Sequence, residues 1–167
     1  RANPGARMVS VIKSIAASAG SYLALGEAFD KVIAEDNSTV MIHGASGAIS
    51  GPASEHAKMA ETLEKIDGLM AEAYSKRSGK SKADIRALMD AETWLFGEEI
   101  KDAGFANEIL TTGAVTDKAT TLSRARAQYS ACVPKIRQDI AAHIGSLGSP
   151  LGVLLGTDLD GKPFYSS

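Results

Sequence analysis

The chain has 167 residues, of which 44% are hydrophobic and 23% are charged. This composition is typical of a globular protein with one full-sized core, and it excludes a collagen-like, intrinsically disordered or disulfide-stapled chain. Eighteen basic and twenty acidic residues give a formal charge of -2, which argues against nucleic-acid binding through a basic field. The single cysteine has no companion for a disulfide or a metal site, so we expect a reducing compartment such as the cytoplasm.

Targeting signals and charge suggest how the chain is organised. It begins at Arg1 without a charged and then apolar leader, and no apolar run reaches the ~18 residues of a membrane span. We therefore expect no signal peptide and no membrane partner, and we interpret the chain as part of a longer product.

Residues 1–110 carry 12 basic and 16 acidic side chains, whereas residues 111–167 carry 6 basic and 4 acidic side chains. This change predicts a functional core over 1–110 and a C-terminal appendage, partly helical or flexible, over 111–167.

Strands and helices are predicted to alternate along the core, which favours an α/β fold with crossover helices. Short β-rich runs predict strands, and apolar residues recurring at the helical period predict a long helix after a loop rich in Gly and Ser. In chain order we predict a strand at 8–13, a helix at 21–28, strands at 31–34 and 39–42, a loop at 44–52 and helices at 54–77 and 81–89. A segment at 94–96, a short helix at 98–103 and a final segment at 105–110 complete the core.

Three histidines are the candidates for a general base. His56 and His143 lie within polar helical patterns, which is typical of solvated surface residues. His43 ends an apolar run and precedes the Gly-rich loop, where an imidazole can reach a substrate. A structural, hydrogen-bonded histidine fits the same pattern equally well.

Ser18 is the best candidate for a nucleophile. It lies where a predicted strand meets a helix, among Ala and Gly residues that allow a sharp turn. That turn would expose the hydroxyl and direct the amide of Ala19 toward a developing oxyanion. A serine hydroxyl needs a base such as His43 to take its proton. The alternative interpretation is a helix N-cap serine in a small-residue packing contact.

No motif for a metal or a cofactor is present. The histidines are scattered, and HExxH, GxxxxGK[ST] and GxGxxG do not occur. We therefore expect no cofactor and no metal, and hydrolysis by side chains is the leading enzymatic interpretation.

Three segments carry a family resemblance in the order and spacing that the family shows. They are Ile15-Ala-Ala-Ser-Ala-Gly20, Thr39-Val-Met-Ile-His43 and the segment from Glu92 to Asn107. Together they resemble the nucleophile turn, the histidine strand and the acid segment of the Clp protease proteolytic subunit (ClpP) family, in particular its phage and prophage head-maturation branch. The resemblance implies the ClpP/crotonase-like fold of βαβ units with a long handle helix, without the family's N-terminal units.

The resemblance also implies the roles of these residues. Ser18 would be the nucleophile, His43 the base, Glu92 the triad acid and the Ala19 amide an oxyanion donor. The family usually has Asp at the acid position, so Asp90 is the alternative acid. A second oxyanion donor, supplied in the family by a Gly-Gly turn, has no counterpart here, and such a loss typically costs about 10²–10³ in rate.

The resemblance implies partners as well. It implies a capsid or scaffold polypeptide as substrate, a homo-oligomer formed through the 54–77 helix, and a location in the bacterial host cytoplasm or prohead. Three alternatives stay open: a housekeeping subunit that works with an ATPase partner, a Ser–Lys dyad that uses Lys13 or Lys31, and a catalytically inactive structural relative.

Overall fold

The computed structural model describes residues 5–113, 117–146, 154–157 and 163–165. Within these ranges the chain folds as two units. The first is drawn from Arg1–Gly44 and Asp67–Ala125 and contains every candidate site residue except His56 and His143, while the second is drawn from Ala45–Ile66 and Arg126–Ser167. The predicted appendage at 111–167 lies only partly inside the described ranges, and its boundary at 110 stays a prediction.

Five helices and eight strands are described. In chain order they are β1 (Val9–Ile12), β2 (Ile15–Ala17), α1 (Ala19–Ala24), β3 (Lys31–Glu35), β4 (Thr39–Ile42), α2 (Ala53–Ser78), α3 (Lys82–Asp90), β5 (Thr93–Phe96), α4 (Glu98–Asp102), β6 (Glu108–Leu110), α5 (Lys118–Ser146), β7 (Leu154–Thr157) and β8 (Pro163–Tyr165). The α/β class predicted from the sequence is therefore confirmed.

Two three-stranded sheets build the first unit. One has the order β1-β3-β6 with both pairs parallel, and the other has the order β2-β4-β5. In the second sheet β2 runs parallel to β4, while β5 runs antiparallel to it. The end of β2, the end of β4 and the start of β5 therefore lie at the same edge of this sheet.

The core of the first unit lies between these sheets and the helices. All four residues of β4 are buried, as expected for a central strand. Helix α2 contributes Ala71 and Tyr74 to the core, and α3 contributes Ile85 and Met89. Ser81 begins α3 as a cap, because its side chain accepts a hydrogen bond from the Asp84 amide, which is the start predicted from the sequence.

Two elements differ from the sequence prediction. Residues 15–17, interpreted as a small-residue junction, form β2, because their backbone pairs with β4 and compensates for the low strand propensity of alanine. The helix predicted at 21–28 begins earlier, at Ala19, and ends at Ala24. In the described part of the chain, no helix is both long and apolar enough to cross a membrane.

Candidate active site

Ser18 occupies a sharp turn between β2 and α1. Its backbone has φ 57° and ψ -123°, and its N–H donates to the carbonyl oxygen of Met41 at 3.1 Å. This conformation is unfavourable for a residue with a Cβ atom, and such residues concentrate at functional sites. Ser18 stands at the N-cap position of α1, but its side chain makes no capping hydrogen bond. Ser18 therefore has the position of a capping serine, but its hydroxyl does not cap the helix.

The Ser18 hydroxyl contacts the predicted base instead. Its Oγ lies 2.8 Å from Nε2 of His43, and both residues are half-buried. The contact follows from the sheet, because β2 and β4 pair in parallel with Ala17 opposite Met41, so both strands end side by side. When the imidazole carries its proton on Nδ1, Nε2 accepts the hydroxyl proton. This is the geometry of a nucleophile and its general base.

Glu92 lies in the turn immediately before β5. The antiparallel pairing of β4 and β5 ends with Ile42 opposite Thr93, so His43 and Glu92 both adjoin this last pair at the sheet edge. Glu92 is exposed and has φ 47°, and its Oε1 accepts a hydrogen bond from Nε1 of Trp94 at 3.1 Å. The fold thus brings this residue to the sheet edge, with its carboxylate bonded to the indole.

A second carboxylate, which the sequence reasoning missed, lies near the same edge. Asp67 of α2 is so close to Gly44 that a Cβ atom there would sit 3.4 Å from Oδ2. The Asp67 side chain is 15% exposed, and its Oδ2 lies 3.6 Å from Nη1 of Arg86. One signal was available: Asp67 continues the row of Met59 and Leu63 at four-residue spacing, so it falls on the inward face of the helix.

The remaining candidates lie elsewhere. Asp90 is the exposed last residue of α3, and His56 is exposed. His143 falls in α5, where its side chain is outside the described part of the structure. The Lys31 ammonium binds the Glu108 carboxylate, and Lys13 is exposed. The Ser18 hydroxyl therefore contacts an imidazole, which favours histidine over the alternative lysine base.

The sheet edge carries a small set of groups that could take part in chemistry. Among the residues that the structure describes, no group of three or more His, Cys, Asp or Glu side chains is placed to hold a metal ion. The groups at the edge that bear on chemistry are the hydroxyl, the imidazole and the two carboxylates.

Comparison with known proteins settles the family. The family model described as Clp protease matches residues 5–113, a range that contains Ser18, His43 and Glu92. This chain belongs to the Clp protease family. The predicted family and the ClpP-like α/β fold are both confirmed.

Two relatives illustrate the extent of the match within the Clp protease family. The chain is 32% identical over 105 residues to the ATP-dependent Clp protease proteolytic subunit 1 of Chlamydia abortus, covering 62% of this chain and 55% of the relative. It is 30% identical over 103 residues to the protein of the same name from Frankia casuarinae, covering 62% and 48%. The chain thus spans about half the length of these curated relatives.

Proposed function

We propose that this chain carries the catalytic centre of a serine endopeptidase. The observation that carries the proposal is the 2.8 Å contact between Ser18 Oγ and His43 Nε2 at the shared end of two parallel strands. Membership of the Clp protease family supports it, because the matched residues include this pair.

The reaction follows the acyl-enzyme route. Nε2 of His43 takes the hydroxyl proton as Ser18 Oγ attacks the peptide carbonyl, and the Ala19 N–H donates a hydrogen bond to the resulting oxyanion. The imidazolium then protonates the leaving amine, and the C–N bond breaks. Water, deprotonated by the same imidazole, hydrolyses the acyl ester and restores Ser18. The exposed position of Ala19 leaves room for a substrate carbonyl beside its amide.

Glu92 serves as the acid of this proposal. Glu92 and His43 both adjoin the last β4–β5 pair, and in this role the Glu92 carboxylate accepts a hydrogen bond from Nδ1–H and stabilises the imidazolium. The Glu92 carboxylate accepts a hydrogen bond from the Trp94 indole at 3.1 Å. To serve as the acid, the Glu92 side chain therefore leaves the indole and turns to the imidazole. Asp90 is the weaker alternative, because it lies exposed at the end of α3.

Two finer functions and one mode of assembly are also proposed. Partnership with an ATPase is supported by the names of both relatives, which are ATP-dependent subunits. Maturation of a phage capsid or scaffold protein is supported by the resemblance of the three segments, taken together, to the head-maturation branch. Assembly of a homo-oligomer through α2 is supported by two apolar side chains that the helix leaves exposed, Ile66 at 40% and Leu69 at 66%.

Peptide hydrolysis tests the proposal. The natural polypeptide containing this sequence is assayed on a fluorogenic peptide and on casein, with Ser18→Ala and His43→Ala as test variants. We expect each variant to lose at least about 10⁴-fold in kcat, as loss of a triad member typically does. His56→Ala is the matched control, because this histidine is exposed, and it keeps full activity. Unchanged hydrolysis by Ser18→Ala would overturn the proposal.

The same assay separates the finer functions. Casein hydrolysis that rises on addition of a Clp ATPase and ATP supports the ATPase partnership. Cleavage of a coexpressed capsid or scaffold protein without ATPase or ATP supports the head-maturation function.

A further inference from the structure

A buried chain of two hydrogen bonds ends on the carbonyl of the candidate nucleophile. Oγ of Ser21 donates to the carbonyl oxygen of Ser18 at 2.7 Å, and the hydroxyl of Tyr74 lies 2.8 Å from the same Oγ. A serine hydroxyl has only one proton. Because that proton is committed to the Ser18 carbonyl, Tyr74 is the donor in the second bond. The chain therefore runs from the phenol through Ser21 to the peptide that joins Ser18 to Ala19.

This peptide contains both the carbonyl that receives the bond and the amide that would bind the oxyanion. A trans peptide is planar, so the Ser18 C=O and the Ala19 N–H point in opposite directions along one rigid unit. Fixing the carbonyl oxygen consequently fixes the direction of the amide hydrogen. Donation to the carbonyl also polarises the amide and strengthens its N–H as a donor, because linked hydrogen bonds reinforce one another.

The carbonyl receives a second bond, from the amide of Tyr22 at 3.1 Å. That bond belongs to the first turn of α1 and would exist whatever side chain followed. The bond from the Ser21 hydroxyl, in contrast, depends on the side chain at position 21. It acts on Ser18, whose φ of 57° is intrinsically unfavourable, and so it helps to hold the adjoining peptide in place.

We propose that Ser21 and Tyr74 are positioning residues that orient and polarise the Ser18–Ala19 peptide for oxyanion binding. This inference rests on the proposed function. Neither residue touches the substrate. Tyr74 acts through Ser21, and Ser21 acts through the peptide.

Burial strengthens the hydrogen bonds that link Tyr74, Ser21 and the Ser18 carbonyl. Both Ser21 and Tyr74 are fully buried, and the Tyr74 ring packs edge-on against Tyr22 and Phe105, with ring centroids 6.3 and 5.9 Å apart. Hydrogen bonds in such a water-poor environment are stronger than at the surface, and a buried hydroxyl without a partner is costly. Burial also raises the pKa of Tyr74 to about 12, so the phenol keeps its proton wherever an imidazole acts as a base.

The opposite end of α1 offers an internal control. Arg77, three residues after Tyr74 on α2, donates from Nε to the carbonyl of Leu25 at 2.9 Å and from Nη2 to the carbonyls of Gly26 and Phe29 at 2.8 Å. These bonds hold the backbone segment that follows α1, and they do not involve the peptide between Ser18 and Ala19. Arg77→Ala thus perturbs the same helix pair without perturbing the hydrogen-bond chain.

The test compares Tyr74→Phe, Ser21→Ala and Ser21→Thr with the natural polypeptide. We measure kcat and KM on a fluorogenic peptide, and inhibition by a peptide boronic acid, whose tetrahedral adduct occupies the oxyanion position. We expect Ser21→Ala to lower kcat and boronate affinity together by roughly tenfold or more, with KM changed less than twofold, because an interaction made only in the transition state is lost. Tyr74→Phe shows a smaller loss in the same direction, and Ser21→Thr restores activity through its hydroxyl.

A purely structural role gives a different pattern. In that case Tyr74→Phe and Ser21→Ala, like Arg77→Ala, lower thermal stability but leave kcat and boronate affinity of the folded protein unchanged, which overturns the inference. Labelling by a fluorophosphonate separates this failure from that of the proposed function. If the natural polypeptide is labelled at Ser18 and the variants behave normally, only the positioning role fails. If it is not labelled at all, both proposals fail.

Discussion

The strained backbone of Ser18 predicts that removing its side chain altogether stabilises the protein more than shortening it does. At φ 57° and ψ -123° a Cβ atom is unfavourable, and such strain costs about 1–3 kcal/mol. Ser18→Ala keeps the Cβ atom and the strain, whereas Ser18→Gly removes both. Both variants lose the bond to the imidazole equally, so that term cancels in the comparison.

The magnitude follows from two opposing terms. Relief of strain favours the glycine variant by about 1–3 kcal/mol, and the larger backbone entropy of unfolded glycine opposes it by about 0.5–1 kcal/mol. We therefore expect Ser18→Gly to exceed Ser18→Ala in free energy of unfolding by about 1 kcal/mol. For a chain of this size that corresponds to roughly 2–4 °C in Tm.

Urea unfolding and scanning calorimetry measure the difference. The control is Ala60→Gly at an exposed position within α2, where glycine relieves no strain and should cost about 1 kcal/mol. Opposite signs at the two positions support the reasoning. A Ser18→Gly variant that is no more stable than Ser18→Ala would refute the claim that the turn is strained.

Three further predictions concern packing, alkaline stability and the triad acid. Gly104→Ala should lower the free energy of unfolding in urea by about 3 kcal/mol, because φ is 83° and a Cβ atom would lie 2.4 Å from a backbone oxygen. The control Gly68→Ala, with open space around it, should raise that free energy by about 0.5–1 kcal/mol, and equal effects at the two positions would contradict the reasoning. Since the folded pKa of Tyr74 is about 12 and a free phenol titrates near 10, unfolding favours the ionised form, and stability should fall by about 1.4 kcal/mol per pH unit between about 10 and 12; a Tyr74→Phe variant with the same slope would contradict this. Glu92→Gln should lower kcat by about 10²–10⁴, far more than Asp67→Asn, and the reverse order in a peptide assay would assign the acid to α2.

The sequence predicts regular elements well where local signals are strong. The bounds of α2 and α3 agree with the predicted helices to within about a residue, because apolar periodicity and the Ser81 cap are local features. The sequence also predicts the contact between Ser18 and His43. The contact forms because each residue lies at the end of a short strand and the two strands are neighbours.

Features that depend on distant contacts were missed. The strand β2 consists of one isoleucine and two alanines, and only its pairing with β4 makes it a strand. The bond between Ser21 and Tyr74 joins residues 53 positions apart, and neither periodicity nor motif spacing indicates it. The approach of Asp67 to Gly44 depends on how α2 packs after a loop, although its four-residue spacing from Leu63 gave a weak signal.

The central claim is that Ser18 is a nucleophile activated by His43, and covalent labelling tests it most directly. The natural polypeptide is treated with a fluorophosphonate, digested, and the modified residue is located by mass spectrometry. We predict a single adduct on Ser18 that disappears in Ser18→Ala and forms at least 10²-fold more slowly, to order of magnitude, in His43→Ala. An adduct at another serine, or labelling of His43→Ala at the natural rate, would contradict the account.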